Sequence, residues 1–233
     1  MKKTLLLLLF IISCQLQAQL HTFSKKPIIH QENFQKQRVH WGYFLGFNSY
    51  DFKFDYKQNY TEEIEVKSTT SFNVGLIGNL RLQEYLDLRL EPGLFYSQRN
   101  LKFPGFDNDR DAFRNVKSTY IHIPLLLKFS SKRIGNFRPY MVGGASASYN
   151  LSSNYKSLSD NSERRFRMNR IAYNYELGFG VDIYLEYFIF SPSIRGVFGI
   201  GNEIIWDNDP NSLWTSNIDA MKTRAVVLNF AFH

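Results

Sequence analysis

The residues of this chain that could perform acid–base chemistry are its histidines. Three of them lie outside the polar N-terminal stretch: His40, His122 and His233. His122 is the strongest candidate for a general base, because strand parity predicts that it points the same way as Glu176 and Arg195. An inward histidine near a charge is more often a packing residue than a base. The sequence has no metal-spaced histidine pair, glycine-rich phosphate loop or nucleophile elbow, so we expect no enzymatic activity, cofactor or metal.

Strands of alternating polarity must position these side chains. Between residues 171 and 185 every odd position is apolar or aromatic, and the even positions are mostly polar or glycine. A period of two places the two sets on opposite faces of an extended strand. The same pattern predicts eight strands, over residues 39–57, 70–83, 86–101, 117–129, 137–152, 171–186, 188–200 and 222–233.

The connections between these strands alternate in length. Three are tight, near residues 84–85, 132–135 and 187, whereas four are long and polar, near residues 58–69, 102–116, 153–170 and 201–221. Short turns alternating with long loops are typical of outer-membrane barrels, whose turns lie in the periplasm. A Greek-key sandwich has no reason to alternate in this way.

Aromatic residues make up 16% of the chain, and many fall near strand ends. Those in the apolar phase are Trp41, Tyr43, Tyr96, Phe129, Tyr149, Tyr173, Phe188 and Phe190. Such clusters are typical of the girdles at the two membrane interfaces. A soluble sandwich with a phenylalanine-rich core is the alternative. It explains neither the alternating loop lengths nor the secretory leader that the N-terminus resembles. The sequence therefore predicts an all-β, eight-stranded antiparallel up-and-down transmembrane β-barrel of the outer-membrane type.

The N-terminus has the parts of a secretory leader. Lys2 and Lys3 precede an apolar run, and a small residue, Ala18, follows it. We predict a signal peptide over residues 1–18, a periplasmic tail over residues 19–38 and a barrel domain over residues 39–233. Cys14 is the chain's single cysteine; the alternative is a lipoprotein in which it is acylated.

Basic residues in excess are confined to the N-terminal part of the chain. The tail carries Lys25, Lys26, Lys36 and Arg38 against one acidic residue. From Val39 onward the chain holds 22 basic and 20 acidic residues, so its net charge of +7 gives no support to nucleic-acid binding. We predict that the tail contacts a periplasmic partner, with an inert spacer as the alternative.

Charges of both signs occupy the polar phase of the strands. Five are basic and five acidic: Arg81, Arg89, Lys128, Arg138, Arg195, Asp87, Glu91, Glu176, Asp182 and Glu186. Eight strands enclose an interior that side chains fill, and buried charges persist only when they are paired. We therefore predict a lumen plugged by a self-compensated charge network, without a pore.

The two last long loops differ in charge. The third is rich in arginine, at Arg164, Arg165, Arg167 and Arg170, whereas the fourth is acidic, at Glu203, Asp207, Asp209 and Asp219. Solvated loops are the simplest interpretation for both. Two others are open: the loops pair with each other across the barrel mouth, or the four arginines hold lipopolysaccharide phosphates.

The first strand changes phase along its length. Its apolar residues are odd-numbered up to Phe47 and even-numbered from Tyr50. A β-bulge at Asn48–Ser49 is the simpler explanation, because one extra residue moves later side chains to the other face. Alternatively, the second half of the strand stands above the bilayer and packs on a loop.

Several segments resemble a known group of proteins. His40–Tyr56 (HWGYFLGFNSYDFKFDY) resembles the first strand of the PorT/SprT proteins of the Bacteroidetes. Glu91–Tyr96, Tyr120–Phe129 and Arg138–Gly144 resemble the wider outer-membrane barrel superfamily. One departure is the C-terminus, where Phe230 and Phe232 keep the phase but His233 is last.

The resemblance to PorT/SprT proteins implies a function. It implies an accessory or assembly role in type IX secretion, which exports proteins bearing a C-terminal signal, and in gliding motility, with other secretion proteins as partners. It carries over no catalytic residues. The alternative is a small surface barrel that acts in adhesion or binds lipopolysaccharide.

Overall fold

A computed structural model describes residues 29–57, 63–106 and 108–233. The predicted signal peptide, together with Lys25 and Lys26, lies outside these residues. The strands are β1 (Val39–Tyr56), β2 (Glu65–Gln83), β3 (Leu86–Leu90), β4 (Gly93–Lys102), β5 (Phe113–Ser130), β6 (Phe137–Asn150), β7 (Ile171–Tyr184), β8 (Ile189–Gly199) and β9 (Ile218–Phe232). The helical segments are single turns at Phe34–Lys36, Asp109–Ala112 and Asn161–Glu163.

The strands form one closed antiparallel ring. β1 pairs with β2 on one side and with β9 on the other, which closes the sheet. β3 and β4 both lie between β2 and β5 and together make one wall strand, interrupted at Glu91 and Pro92. The ring therefore has eight strand positions in up-and-down order, and the predicted fold is confirmed.

The two ends of the ring differ. The turn end carries short connections at residues 84–85, 131–136 and 185–188, and the loop end carries long ones at residues 57–64, 103–112, 151–170 and 200–217. Within the described part of the chain, no helix has the length and apolarity needed to cross a membrane.

Apolar side chains cover the outer face of the ring near its middle. Exposed members include Trp41, Tyr43, Leu45, Phe47, Phe72, Val74, Leu76, Leu94, Ile123, Leu125, Met141, Leu177, Phe179 and Val226. We call these residues the apolar belt. Polar and charged side chains fill the interior at the same level. Apolar groups outside and polar groups inside are the pattern of a barrel in lipid.

The predicted bulge at Asn48–Ser49 was wrong. The register of β1 against β9 runs without a shift from Tyr43 to Asp55. Even-numbered side chains point inward along the whole strand. The outward-facing side chains change from apolar to polar, because Phe47 is followed on the outer face by Ser49 and charged residues. β1 leaves the apolar belt at Phe47, so the alternative interpretation, in which its second half stands above the bilayer, describes the strand.

The interior changes character along the axis. Charged side chains occupy the turn-end half and the middle. An apolar cluster fills the loop end: Phe52, Ile64, Leu101, Phe103, Val116, Phe166, Met168, Ile204, Ile218 and Met221. We call these ten residues the outer core. All four long loops contribute to it, so the loop end is built like the core of a soluble protein.

Candidate functional site

A chain of buried ion pairs crosses the lumen. Arg195 on β8 contacts Glu91 (Nη1–Oε2, 2.7 Å) and Glu176 on β7 (Nε–Oε2, 2.9 Å). Glu91 also contacts Arg89 (3.3 Å), and Glu176 contacts His122 on β5 (2.7 Å). All five side chains are buried. Because Glu91 lies on the opposite side of the ring from β8, these contacts brace the barrel across its diameter.

The chain continues towards the turn end. Arg89 Nε donates to Asn79 Oδ1 (2.8 Å), and the amide nitrogen of Asn79 lies 2.7 Å from His40 Nε2. A separate pair joins Lys128 to Asp182 (2.6 Å), and Asp182 also accepts a hydrogen bond from the Ser191 hydroxyl (2.7 Å). Each carboxylate of the two clusters thus has a cation and a further polar contact.

Not every predicted member of the network lies in the lumen. Asp87 and Arg138 are buried, with Arg138 Nη2 donating to the Glu84 carbonyl (2.8 Å). Arg81 is half-buried at the turn-end rim. Glu186 is exposed in the turn after β7, so its assignment to the lumen was wrong. Strand parity holds only while the chain is extended, and β7 ends at Tyr184.

Sequence reasoning missed a buried arginine. Arg99 on β4 is completely buried; its Nη2 donates to Tyr120 Oη (2.6 Å), and its guanidinium lies over the Phe52 ring (3.8 Å). No described carboxylate is within ion-pair distance of it. Parity could have identified it: Arg99 is odd-numbered, like Arg89 and Glu91 on the same wall strand, and odd-numbered side chains of that strand point inward. Aromatic faces, together with the more distant carboxyl of Glu203, take the place of a close counter-ion at this position.

The third and fourth loops interlock over the mouth of the barrel. Asp207 accepts from the Asn161 backbone N–H (3.2 Å), and Asp160 accepts from that of Asn208 (3.2 Å). Arg167 Nη2 donates to the Trp206 carbonyl (2.6 Å). Arg167 is buried by these contacts, so its predicted exposure to lipopolysaccharide was wrong. Hydrogen bonds between a side chain of one loop and a backbone group of the other, rather than arginine–aspartate pairs, join the loops here.

Glu203 lies beneath these loops, outside the membrane-spanning segments. It is buried, and it accepts hydrogen bonds from the backbone N–H and the hydroxyl of Thr223, both at 2.9 Å. Burial raises the pKa of its carboxyl, and the bonds from Thr223 and the charge of Arg99 oppose that rise. A solvated position, the simplest interpretation of the acidic residues in the fourth loop, is therefore wrong for Glu203, which is a buried structural residue.

Residues 29–38 cover part of the turn end. The His30 backbone N–H donates to Asn136 Oδ1 (3.0 Å), and Gln35 Nε2 donates to Tyr184 Oη (3.1 Å). Arg133 Nη2 donates to the His30 carbonyl while its guanidinium stacks over Tyr184 (3.8 Å). This part of the predicted tail is therefore docked on the barrel. We call residues 29–38 the docked segment.

The basic residues of the docked segment remain accessible. Lys36 and Arg38 are exposed, and neither forms an ion pair with a described residue. Across residues 29–57, 63–106 and 108–233, no cluster of three histidine, cysteine or carboxylate side chains could hold a metal ion. The described residues thus form ion pairs inside the barrel and leave charged side chains exposed at its two ends.

Comparisons with known proteins identify the family to which this barrel belongs. A family model described as an outer membrane protein beta-barrel domain matches residues 17–204. No curated protein sequence matches the chain. Among solved structures, the chain is similar to the outer membrane protein OprG of Pseudomonas aeruginosa, with 17% identity, 83% of this chain and 93% of that chain covered, and a TM-score of 0.44.

Ail, the attachment invasion locus protein of Yersinia pestis, is also similar. It has 12% identity, covers 84% of this chain and 98% of its own, and gives a TM-score of 0.38. A structure of Ail with the heparin analogue sucrose octasulfate gives 14% identity, 84% and 99% coverage, and a TM-score of 0.40. The family match extends over most of the chain and agrees with the closed ring, its apolar belt and its polar lumen. The chain belongs to the outer membrane protein beta-barrel domain family and is a β-barrel protein of the bacterial outer membrane.

Proposed function

We propose that this protein is an accessory or assembly component of the type IX secretion system, and that it acts in export of C-terminal-signal proteins and in gliding motility. The observation that carries the proposal is the filled lumen. Ion pairs occupy its middle and the outer core fills its loop end. Such a barrel cannot be the export conduit and must act through its surfaces.

The resemblance of His40–Tyr56 to PorT/SprT proteins supplies the secretion context. The whole segment lies within β1, which has a lipid-facing half and a half that stands above the apolar belt. The resemblance thus concerns a strand that builds the wall and part of the outer core. It supports membership of a secretion apparatus and gives no argument for catalysis.

The turn end is the best candidate for contact with other secretion proteins. Orientation with short turns in the periplasm is the usual one for such barrels. The docked segment then presents Lys36 and Arg38 to the periplasm from a fixed position on the barrel. A periplasmic partner with an acidic surface fits these two exposed cations, which would steer its approach.

A deletion strain complemented with variants tests this role. Lys36→Glu combined with Arg38→Glu should reduce export of C-terminal-signal cargo while the barrel stays at normal level. The matched control is Lys53→Glu with Lys156→Glu, two exposed cations of the loop end, which should leave export unchanged. Normal export in the deletion strain itself would reject the secretion role. Normal export with the turn-end variant would reject only this surface.

A second candidate function is a small surface barrel that binds lipopolysaccharide or acts in adhesion. The observation in its favour is that Arg164 and Arg165 are exposed at the loop end without ion pairs to described residues. A deletion strain that loses adhesion or envelope resistance while it exports cargo normally would favour this function over secretion.

A further inference from the structure

The barrel wall above the apolar belt is electrostatically uneven. On the β1–β9 side, exposed charges compensate one another: Arg224 pairs with Asp51 (2.7 Å), and Asp55 pairs with Lys53 (3.3 Å) and Lys222 (3.7 Å). On the β5 side, Lys117 points outward and forms no ion pair with any residue that the structure describes. Among the described residues, Lys117 thus lacks an ion-pair partner on this side of the barrel.

A groove runs along this uncompensated side, between the outer end of β5 and the third loop. Its basic lining residues are Arg114, Lys117, Arg164 and Arg165, and no carboxylate of the described side chains lines it. The amides of Asn115 and Asn154 and the hydroxyl of Ser152 line the same groove. Arg114 feels the charge of Arg164, and Asp111 and Asp207 act on it with the opposite sign. The exposed cations Lys117, Arg164 and Arg165 are the ones available to a bound anion, and the lining adds neutral donors for it.

The height of the groove identifies the kind of anion. On β5, the outward-facing apolar residues run from Ile121 to Phe129 and include Ile123 and Leu125 of the apolar belt. Lys117 lies four residues beyond Ile121. At about 3.4 Å per residue, Lys117 is about 14 Å along the strand from Ile121, and the usual tilt reduces the vertical distance to roughly 10 Å. The headgroup layer, which contains the lipid phosphates, extends about 5–7 Å beyond the acyl core. The long side chain of Lys117 can reach down to this layer with its ammonium group.

A neighbouring arginine marks the same level. Arg170, just before β7, lies over the rings of Tyr149 (4.3 Å) and Tyr155 (5.1 Å). Tyr149 is on the outer face of β6, paired with Ile121. An aromatic ring at the edge of the apolar belt, covered by an arginine, is typical of a headgroup boundary. Arg170 therefore extends the cationic surface along the membrane edge.

We infer that the groove of Lys117, Arg164 and Arg165 binds the phosphate groups of a phosphorylated glycolipid in the outer leaflet, whose acyl chains lie along Ile121 and Ile123. A soluble polyanion would contact the cations but could make no use of the apolar side chains beside them. The inference rests on the second candidate function and narrows it to a lipid bound at the side of the barrel. It is independent of the secretion role.

Binding to the purified, refolded full-length mature barrel in detergent tests the inference. The probes are lipid A with two phosphates, the same lipid after enzymatic dephosphorylation, and the bisphosphorylated disaccharide without acyl chains. The wild type should bind the first at least about tenfold more tightly than either of the others, because charged hydrogen bonds and acyl contacts both contribute.

A charge-matched pair of variants locates the site. Lys117→Ser with Arg164→Ser and Arg165→Ser should weaken binding of bisphosphorylated lipid A at least about tenfold. Lys53→Ser with Lys222→Ser and Arg224→Ser removes three cations from the opposite wall and should change binding less than about twofold, as exposed, self-paired charges contribute little. Heat-modifiable gel migration verifies that each variant folds.

The outcomes distinguish failure of the proposed groove from failure of the lipopolysaccharide-binding function. Equal binding by the groove variant and the wild type would overturn this site and leave a lipopolysaccharide-binding role elsewhere on the barrel. No preference of the wild type for phosphorylated lipid would overturn both. Equal affinity for the soluble disaccharide would overturn the lipid at the barrel side and assign the groove to soluble anions.

Discussion

His122 Nε2 on β5 and Glu176 Oε1 on β7 lie 2.7 Å apart, with both side chains completely buried. β6 lies between these strands, so the contact joins elements that the sheet does not pair directly. His122 also lies 2.8 Å from the Ser148 hydroxyl on β6. The imidazole is thus held between three strands by polar contacts at both ring nitrogens, as expected of a structural histidine.

Glu176→Ala should destabilise the barrel strongly. It leaves Arg195 with one carboxylate instead of two, and removing one partner of a buried pair costs about 3–5 kcal/mol. Heat-modifiable gel migration in a urea series measures the effect. The control is Asp51→Ala, which breaks an exposed pair with Arg224 and should cost no more than about 1 kcal/mol. Equal urea midpoints for both variants would contradict the bracing role of Glu176.

Arg99→Met should leave stability nearly unchanged or raise it. Arg99 is buried among aromatic rings without a carboxylate in ion-pair distance, so ring contacts and a hydrogen bond to Tyr120 offset the cost of burying its charge. An apolar side chain of similar length removes that cost and still fills the space. Arg99→Ala should instead cost about 2–5 kcal/mol, because it also leaves a cavity. Urea unfolding of the two variants separates charge from volume, and a large loss in Arg99→Met would show that the charge itself stabilises the fold.

Glu203→Gln should change the pH dependence of stability. Because burial raises the pKa of Glu203 above its ordinary 4.5, the folded state binds its proton more tightly than the unfolded chain does. This residue's contribution is therefore complete below pH 4.5 and declines as pH rises through the raised pKa. The stability of the wild type minus that of Glu203→Gln should fall across this window. Thermal melts at a series of pH values measure the difference, and a constant difference would contradict a raised pKa.

Cysteine labelling tests the orientation of the barrel. Apart from Cys14 in the predicted leader, the chain has no cysteine, so background labelling is low. Cysteines at Lys156 and Asn211, both exposed at the loop end, should react with an impermeant reagent in intact cells. A cysteine at Ser131, exposed at the turn end, should react only after the outer membrane is permeabilised. The reverse pattern would place the loops in the periplasm.

Planar-bilayer recordings test closure of the lumen. The wild type should give no steady channels, because ion pairs cross the middle and the outer core fills the loop end. Met221→Ser with Ile218→Ser places hydroxyls in the outer core and should still conduct no ions, since the ionic layer remains. Steady conductance from the wild type would contradict a plugged barrel and reopen a transport role.

Periodicity was sufficient to predict the strands and most of the lumen, because parity along a strand fixes the face of each side chain. It failed where the chain stops being extended, as at Glu186, and where the surroundings change along a regular strand, as beyond Phe47 on β1. The burial of Arg167 and Glu203 depends on how two loops fold over each other. Local sequence carries little information about such long-range contacts. Arg99, by contrast, could have been identified from parity alone.

The outer core has a consequence for how the barrel is assembled. If the long loops cross from the periplasmic side during insertion, they cross before their apolar residues can pack. Once across, Phe166, Met168 and Ile204 become buried with residues of the strand ends. Each large apolar side chain contributes roughly 1.5–3 kcal/mol on burial, and reverse passage would have to undo all of that packing. Packing of the outer core therefore opposes withdrawal of the loops, so insertion is effectively irreversible without a covalent cross-link.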